Sequence, residues 1–383
     1  MASPPVLIVF TGGLGSSPVE QMVAEAQRCI TLDTIQRAKA SGAFARIVLV
    51  TDSLELSQRV DSSVRVEVDS SPFHFGERLR YIIGKYRIDR PFYVGGGSAA
   101  LMTAQDLTSI AARLSSSDNA VITNNLFSSD LVAFHPGSAI EAMEPPVHDN
   151  PLAQLLRYEA GLRDIRLRRT AATQFDVDTP SDLLVLSVHP AAGPHVRGYL
   201  DSIHLDVARL RETMSLLTDH TVEIVIAGRV GSQVWAQLEA ETACRVRVFS
   251  EERGMRADGR EERGEARALL GFFLEEVGLR RFFRSLAELG AAAFIDSRVI
   301  FAHMGLRLSA SDRFLSDLGQ PDGIENAFVR EFTEEALCAP KPVILGGHSI
   351  VAGGLLALIE AAWQEQDQSV GIEKRITPRL FEN

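Results

Sequence analysis

Short, unbroken apolar runs that each empty into a polar or glycine-rich segment constrain the fold of this chain more than any other feature. Val6-Leu7-Ile8-Val9-Phe10, Ile47-Val48-Leu49-Val50, Phe92-Tyr93-Val94 and Ala120-Val121-Ile122-Thr123 recur through the first half. Continuous runs of this kind suit the central strands of a parallel sheet, which are covered on both faces. Helical stretches separate them: one over 31–41 with Gly42 as its C-cap, one over 76–86, and one capped by Thr103 and Asp106. Residues 65–68 alternate as a short strand, 131–134 form a further candidate, and Pro145-Pro146 with Pro151 mark a loop. Strands alternating with helices predict an α/β fold, a doubly wound and mostly parallel sheet with its sites at the strand C-termini.

With 383 residues the chain is expected to form two domains. His189-Pro190-Ala191-Ala192-Gly193-Pro194-His195 reads as a linker with solvent-exposed histidines, dividing the chain into 1–190 and 198–383. Residues 201–217 then read as one amphipathic helix, with Ile203, Val207, Leu210, Met214 and Leu217 on the face that meets a core or a domain interface. A second alternation follows: strands over 222–227, 245–249, 292–302 and 341–345, and helices over 233–242, 269–279, 282–289 and 350–363. It predicts a second α/β domain.

A net charge of -11 argues against a nucleic-acid backbone partner, which needs a basic surface to release counterions. No apolar run is long enough to span a bilayer, and no basic-then-apolar leader opens the chain. Cys29, Cys244 and Cys338 are far apart and have no metal-ligand spacing, which fits a reducing, cytoplasmic setting.

Two motifs carry candidate chemistry in the first half. The first strand runs into Thr11-Gly12-Gly13-Leu14-Gly15-Ser16-Ser17-Pro18, where glycines let backbone N–H groups approach a phosphate or simply turn the chain tightly. It matches neither the Gly-Lys-Ser/Thr loop nor the three-glycine dinucleotide fingerprint. The second motif is Phe175-Asp176-Val177-Asp178-Thr179-Pro180-Ser181-Asp182-Leu183. In an extended segment Asp176 and Asp178 share a face, and Thr179, Pro180 and Asp182 carry the signals of a helix start. The two carboxylates suit a divalent cation; a strand end and a helix cap account for the same residues. Arg166, Arg168 and Arg169 read as a charged edge strand or as a phosphate-steering row.

The order of glycine loop, Leu-Val-Thr-Asp strand end, glycine-rich strand end before Thr103-Ala104-Gln105-Asp106-Leu107, and the Asp176–Asp182 motif resembles nucleotidyltransferases of the nucleotide-diphospho-sugar transferase fold. It is most similar to the 2-phospho-lactate guanylyltransferase and molybdenum-cofactor branches, over about 5–190. The resemblance implies a nucleoside triphosphate held by Gly12, Gly13, Gly15 and Ser16, with Mg2+ held by Asp176 or Asp178. A small phosphorylated acceptor would attack the α-phosphorus and pyrophosphate would leave. Two departures stand out: 12–20 contains no Lys or Arg, and Ser98 occupies the place of the family's metal-binding aspartate.

In the second half, Arg229, Ser232, Arg253, Arg256, Arg298, His303, His348 and Ser349 lie at strand ends, as an anion site would require. Pairing with nearby carboxylates explains the arginines equally. Gly347-His348-Ser349-Ile350-Val351 lacks the last glycine of a nucleophile elbow; Asp312, Asp317, Asp322 and His303 read as a metal cluster without diagnostic spacing, or the aspartates as caps and turns. The first reading is a magnesium-dependent nucleotidyltransferase. The alternative is a degenerate nucleotide-binding or scaffolding first domain beside a second domain that binds or acts on an anionic metabolite.

Overall fold

The computed structural model describes residues 3–13, 15–69, 72–369 and 380–381. The chain is an α/β protein with a seven-stranded, mostly parallel sheet and a second sheet of four strands. The strands of the first sheet are β1 (Val6–Thr11), β2 (Arg46–Thr51), β3 (Val64–Val68), β4 (Pro91–Gly95), β5 (Ala120–Thr123), β6 (Leu131–His135) and β7 (Arg163–Arg166). Their order is β3-β2-β1-β4-β6-β5-β7, with β6 antiparallel to both neighbours. The chain builds outward from β1 through β2 to β3, then returns to place β4 on the other side of β1. A crevice opens at such a reversal, beyond the strand C-termini.

Side-chain alternation explains why these strands are apolar throughout. Leu7, Val9, Ile47, Leu49, Phe92 and Val94 pack into the core on one face of the sheet. Ile8, Phe10, Val48, Val50 and Tyr93 pack on the other.

The second sheet holds β8 (Glu223–Gly228), β9 (Arg245–Ser250), β10 (Ala292–Asp296) and β11 (Val343–Gly346), all parallel, in the order β11-β10-β8-β9. One hydrophobic core joins the two halves: Val23, Ala26 and Ile30 belong to the same cluster as Leu183 to Leu186, Ile224, Phe294 and Leu355 to Ile359. The helix Pro180–Val188 lies at its centre, with all its residues buried except Ser187.

Three expectations change. The run 292–302 is not one strand: β10 stops at Asp296, and Ser297–His303 is a helix buried along its whole length. An apolar run without periodicity does not distinguish these states. The helix expected over 201–217 is two, Pro194–Ile203 and Ala208–Ser215, broken where His204 turns left-handed at φ 49°. His189 is not exposed in a linker; it is 1% accessible, and burial beside Arg197 pushes its pKa down to about 4. Gly42 is the expected left-handed C-cap, closing a helix that starts at Pro18, earlier than 31. No described helix is long and apolar enough to cross a membrane.

Candidate active site

The reversal between β1 and β4 opens into a cleft of about 560 Å³. Gly12 and Gly13 follow β1, Asp52 follows β2, Gly95 ends β4, and Gly96, Gly97 and Ser98 follow it; all line the cleft, together with Asp176 and Asp178. Parallel pairing sets Thr11 opposite Thr51 and Phe10 opposite Gly95, so the three strand ends finish side by side.

Residues 175–179 are not a strand; they join the helices Ala171–Gln174 and Pro180–Val188. They remain extended because both sides are held. The Val177 N–H donates to the Gly97 carbonyl at 3.2 Å, and Gln27 Nε2 donates to the Val177 carbonyl at 2.7 Å. Phe175 and Val177 therefore point into the core, and Asp176 and Asp178 point into the cleft. Gly97 permits this approach, since a Cβ there would lie 2.6 Å from the Val177 carbonyl oxygen and 2.7 Å from Asp176 Oδ1. Thr179 and Asp182 form a reciprocal capping box, with Pro180 in the first turn. Asp182 is thus committed to the helix, and Asp176 and Asp178 are not.

Ser98 has a supporting position. Its hydroxyl donates to Asp176 Oδ1 at 3.2 Å, and that oxygen also accepts from the Val177 N–H at 3.0 Å. The carboxylates around it strain one another. Burial, then Asp178 and Asp130, drives the Asp176 pKa far above its ordinary value. Asp178 is raised by its dense surroundings and by Asp149, with Arg256 opposing, although its side chain is open to solvent in the cleft. Burial and the charges of Asp149 and Asp178 push Asp130 up to about 8. Burial also pushes Asp182 up to about 7, the Ser349 hydroxyl opposing and the Asp178 charge adding.

A cation bound among them would let the carboxylates ionise together. Among the described residues no three or more His, Cys, Asp or Glu side chains group closely enough to hold a metal by themselves. Magnesium does not require that: it is commonly held by one or two carboxylates, with phosphate oxygens and waters completing its shell. Asp176 and Asp178 fit this donor set.

No family model matches the chain, and no curated protein matches it in sequence. Solved structures do. A cytidylyltransferase from Leptospira borgpetersenii is 15% identical, over 56% of this chain and 96% of its own, at a TM-score of 0.39. CMP:2-keto-3-deoxy-manno-octonic acid synthetase, solved with CTP, is 14% identical over 47% and 95%, at 0.36. A protein of Desulfovibrio desulfuricans assigned to the nucleotide-diphospho-sugar transferases is 16% identical over 48% and 87%, also at 0.36. Each likeness spans about half of this chain.

Several expected ligand residues stand elsewhere. Gly15 packs against the backbone of Glu20, and the Ser16 hydroxyl donates to the Glu20 carboxylate, so both belong to the start of the helix Pro18–Ser41 rather than to the cleft. Leu14 lies outside the described residues. Arg229, Ser232, Arg253, His348 and Ser349 do not line the cleft.

They lie at the C-terminal ends of the second sheet, the half in which the sequence places them. Arg229 is bound at two points by Asp296, with Nε at 2.6 Å, and His348 Nε2 lies 3.1 Å from the Arg229 carbonyl. Arg253 packs beside Gly231, the residue before Ser232. Ser349 Oγ accepts from the Gly354 N–H. Arg298 is fully engaged with Asp317, while His303 is buried and accepts from the Ala268 N–H. Asp312 caps backbone N–H groups at Glu325 and Asn326. Two of these arginines therefore pair with buried aspartates.

Sequence reasoning missed three groups. Asp52, at a strand end, accepts from the Gly13 N–H at 3.0 Å. Asp149, in the proline-rich loop, accepts from the Tyr93 hydroxyl at 2.8 Å. Phe10, Phe73, Phe75 and Tyr93 form an aromatic wall. A carboxylate after β2 was visible as such; Asp149 and the rings are joined only by the tertiary fold.

Proposed function

We propose that the first-half cleft binds a nucleoside triphosphate with magnesium and transfers its nucleoside monophosphate to a small phosphorylated acceptor. The observation that supports this most is the placement of Asp176 and Asp178 on one cleft with Gly12, Gly13 and Gly95 to Ser98, at the sheet's reversal point. The volume is in the usual range for a small-molecule site. An acceptor phosphate oxygen would bond to the α-phosphorus as the bond to the bridging oxygen breaks, and pyrophosphate would leave. Bound magnesium would neutralise charge on the phosphates. Asp176 and Asp178 would hold it, Ser98 would orient Asp176, and the glycines would let the chain approach the phosphates without side-chain obstruction.

A second reading has one observation in its favour: no Lys or Arg is among the described residues lining the cleft. A module that binds a ligand without turning it over would need no cation to stabilise the departing pyrophosphate. Pyrophosphate release from each of the four nucleoside triphosphates, with magnesium or with EDTA and across phosphorylated acceptors, separates the two. Magnesium-dependent release that Asp178→Ala abolishes supports transfer. Tight binding without release across the acceptor panel supports the module.

A further inference from the structure

The cleft has two unlike walls, and the proposed phosphate chemistry uses one of them. On the other, Phe10 meets Phe75 at 5.6 Å and Tyr93 at 5.4 Å between ring centroids, and Phe75 meets Tyr93 at 5.0 Å, all edge-to-face. Phe73 extends this wall from Phe10 at 5.9 Å. Three of these rings are buried, while Phe73 is 51% exposed at the lip. Carboxylates border the same space. Asp149 sits at the tip of the wall, bonded to the Tyr93 hydroxyl; Asp69 is shared with Arg78 at 3.3 Å, and Asp52 holds the glycine loop.

Aromatic faces carry negative potential and attract a cation positioned over them. Asp149 lies alongside the rings, His148 lines the same space, Arg78 pairs with Asp69, and no Lys or Arg is among the described lining residues, so the unpaired charge beside the rings is that of a carboxylate. A bare metal ion would gain little from the rings. A nucleobase could stack on them, but it would leave the surrounding negative charge uncompensated. An organic ammonium group uses both features: its alkyl surface covers the exposed Phe73 ring at the edge of the buried cluster, and its charge faces the acids.

We propose that the aromatic end of the cleft binds an organic ammonium group, held against the ring cluster of Phe10, Phe73, Phe75 and Tyr93 and beside Asp149 at its tip. This site stands on the lining of the cleft alone. That the ammonium belongs to the acceptor, making it an amino-bearing phosphate ester, rests on the transfer reading above.

The test uses the full chain in EDTA at low salt, without nucleotide, titrated with choline and with its neutral isostere 3,3-dimethylbutan-1-ol. Choline is expected to bind roughly tenfold or more tightly than the isostere, a gap of the size that a desolvated cation–π contact supports. Phe73→Ala should weaken choline about fivefold or more, whereas Phe73→Trp should retain it, because tryptophan is the better cation–π partner. Asp149→Asn keeps an acceptor for the Tyr93 hydroxyl and should weaken choline without lowering the melting temperature. Equal binding of choline and isostere, insensitivity to Phe73→Ala, or no choline binding up to about 10 mM overturns the proposal. Choline binding without any pyrophosphate release would leave this site standing and remove only the transfer reading. Release without choline binding would do the reverse.

Discussion

Asp178 and Asp182 lie four positions apart and do different work, which makes them a matched pair for substitution. Asp182 is fully buried, and its Oδ2 accepts from the N–H groups of Asp178 and Thr179 and from the Thr179 hydroxyl. Asp182→Ala removes a cap and leaves buried donors unmatched, a loss of about 1–3 kcal/mol. Asp178 faces the cleft amid other acids, so Asp178→Ala should leave the melting temperature nearly unchanged while abolishing magnesium-dependent nucleotide binding. Thermal melts alongside nucleotide titrations check both; a large loss of stability in Asp178→Ala would show that it is structural. The cap was legible in the sequence because the groups it caps, at Asp178 and Thr179, lie within four residues. Asp149 was not, because its significance depends on Tyr93, 56 positions away.

The elements that shape the cleft are the turn after β4 and the extended segment 175–179, which touch through Gly97 and Val177. Gly97→Ala places a methyl group against Asp176 Oδ1 and the Val177 carbonyl. The segment must then move away. This substitution should weaken magnesium-dependent nucleotide binding about tenfold or more, the penalty expected when a ligand is displaced by an ångström, with folding retained. Unchanged affinity would mean that the contact does not position Asp176. At this scale the sequence was most readable where strands are flanked by glycine and helices carry caps. It was least readable in fully buried segments: 298–302 reads as strand, yet Ser297–His303 is helical because helices buried on every side lose their periodic pattern.

Across the whole molecule, the two sheets are joined by one core, and the buried carboxylates of Asp130 and Asp182 carry raised pKa values. Asp130 and Asp182 are raised to about 8 and about 7, so the folded chain retains protons that an unfolded chain has released. Their contribution to stability is greatest below the ordinary aspartate range and is lost as pH rises through the raised values. Asp130→Asn, melted in EDTA, should therefore gain on the unsubstituted chain as pH rises from about 5 to about 8. A pH-independent difference would contradict that electrostatic picture. The division into strands and helices was visible from composition and pattern, whereas the continuity of the core across His189 was not, because the Pro/Gly segment resembles a linker and its packing is tertiary. The most direct measurement is a titration of manganese, standing in for magnesium and followed by its electron paramagnetic resonance, with each of the four nucleoside triphosphates present. Tight ternary binding of at least one nucleotide in the unsubstituted chain, lost in both Asp176→Asn and Asp178→Asn, is the expected result. Ternary binding that survives both substitutions, or no metal-dependent nucleotide binding at all, would contradict the proposed role of the two carboxylates.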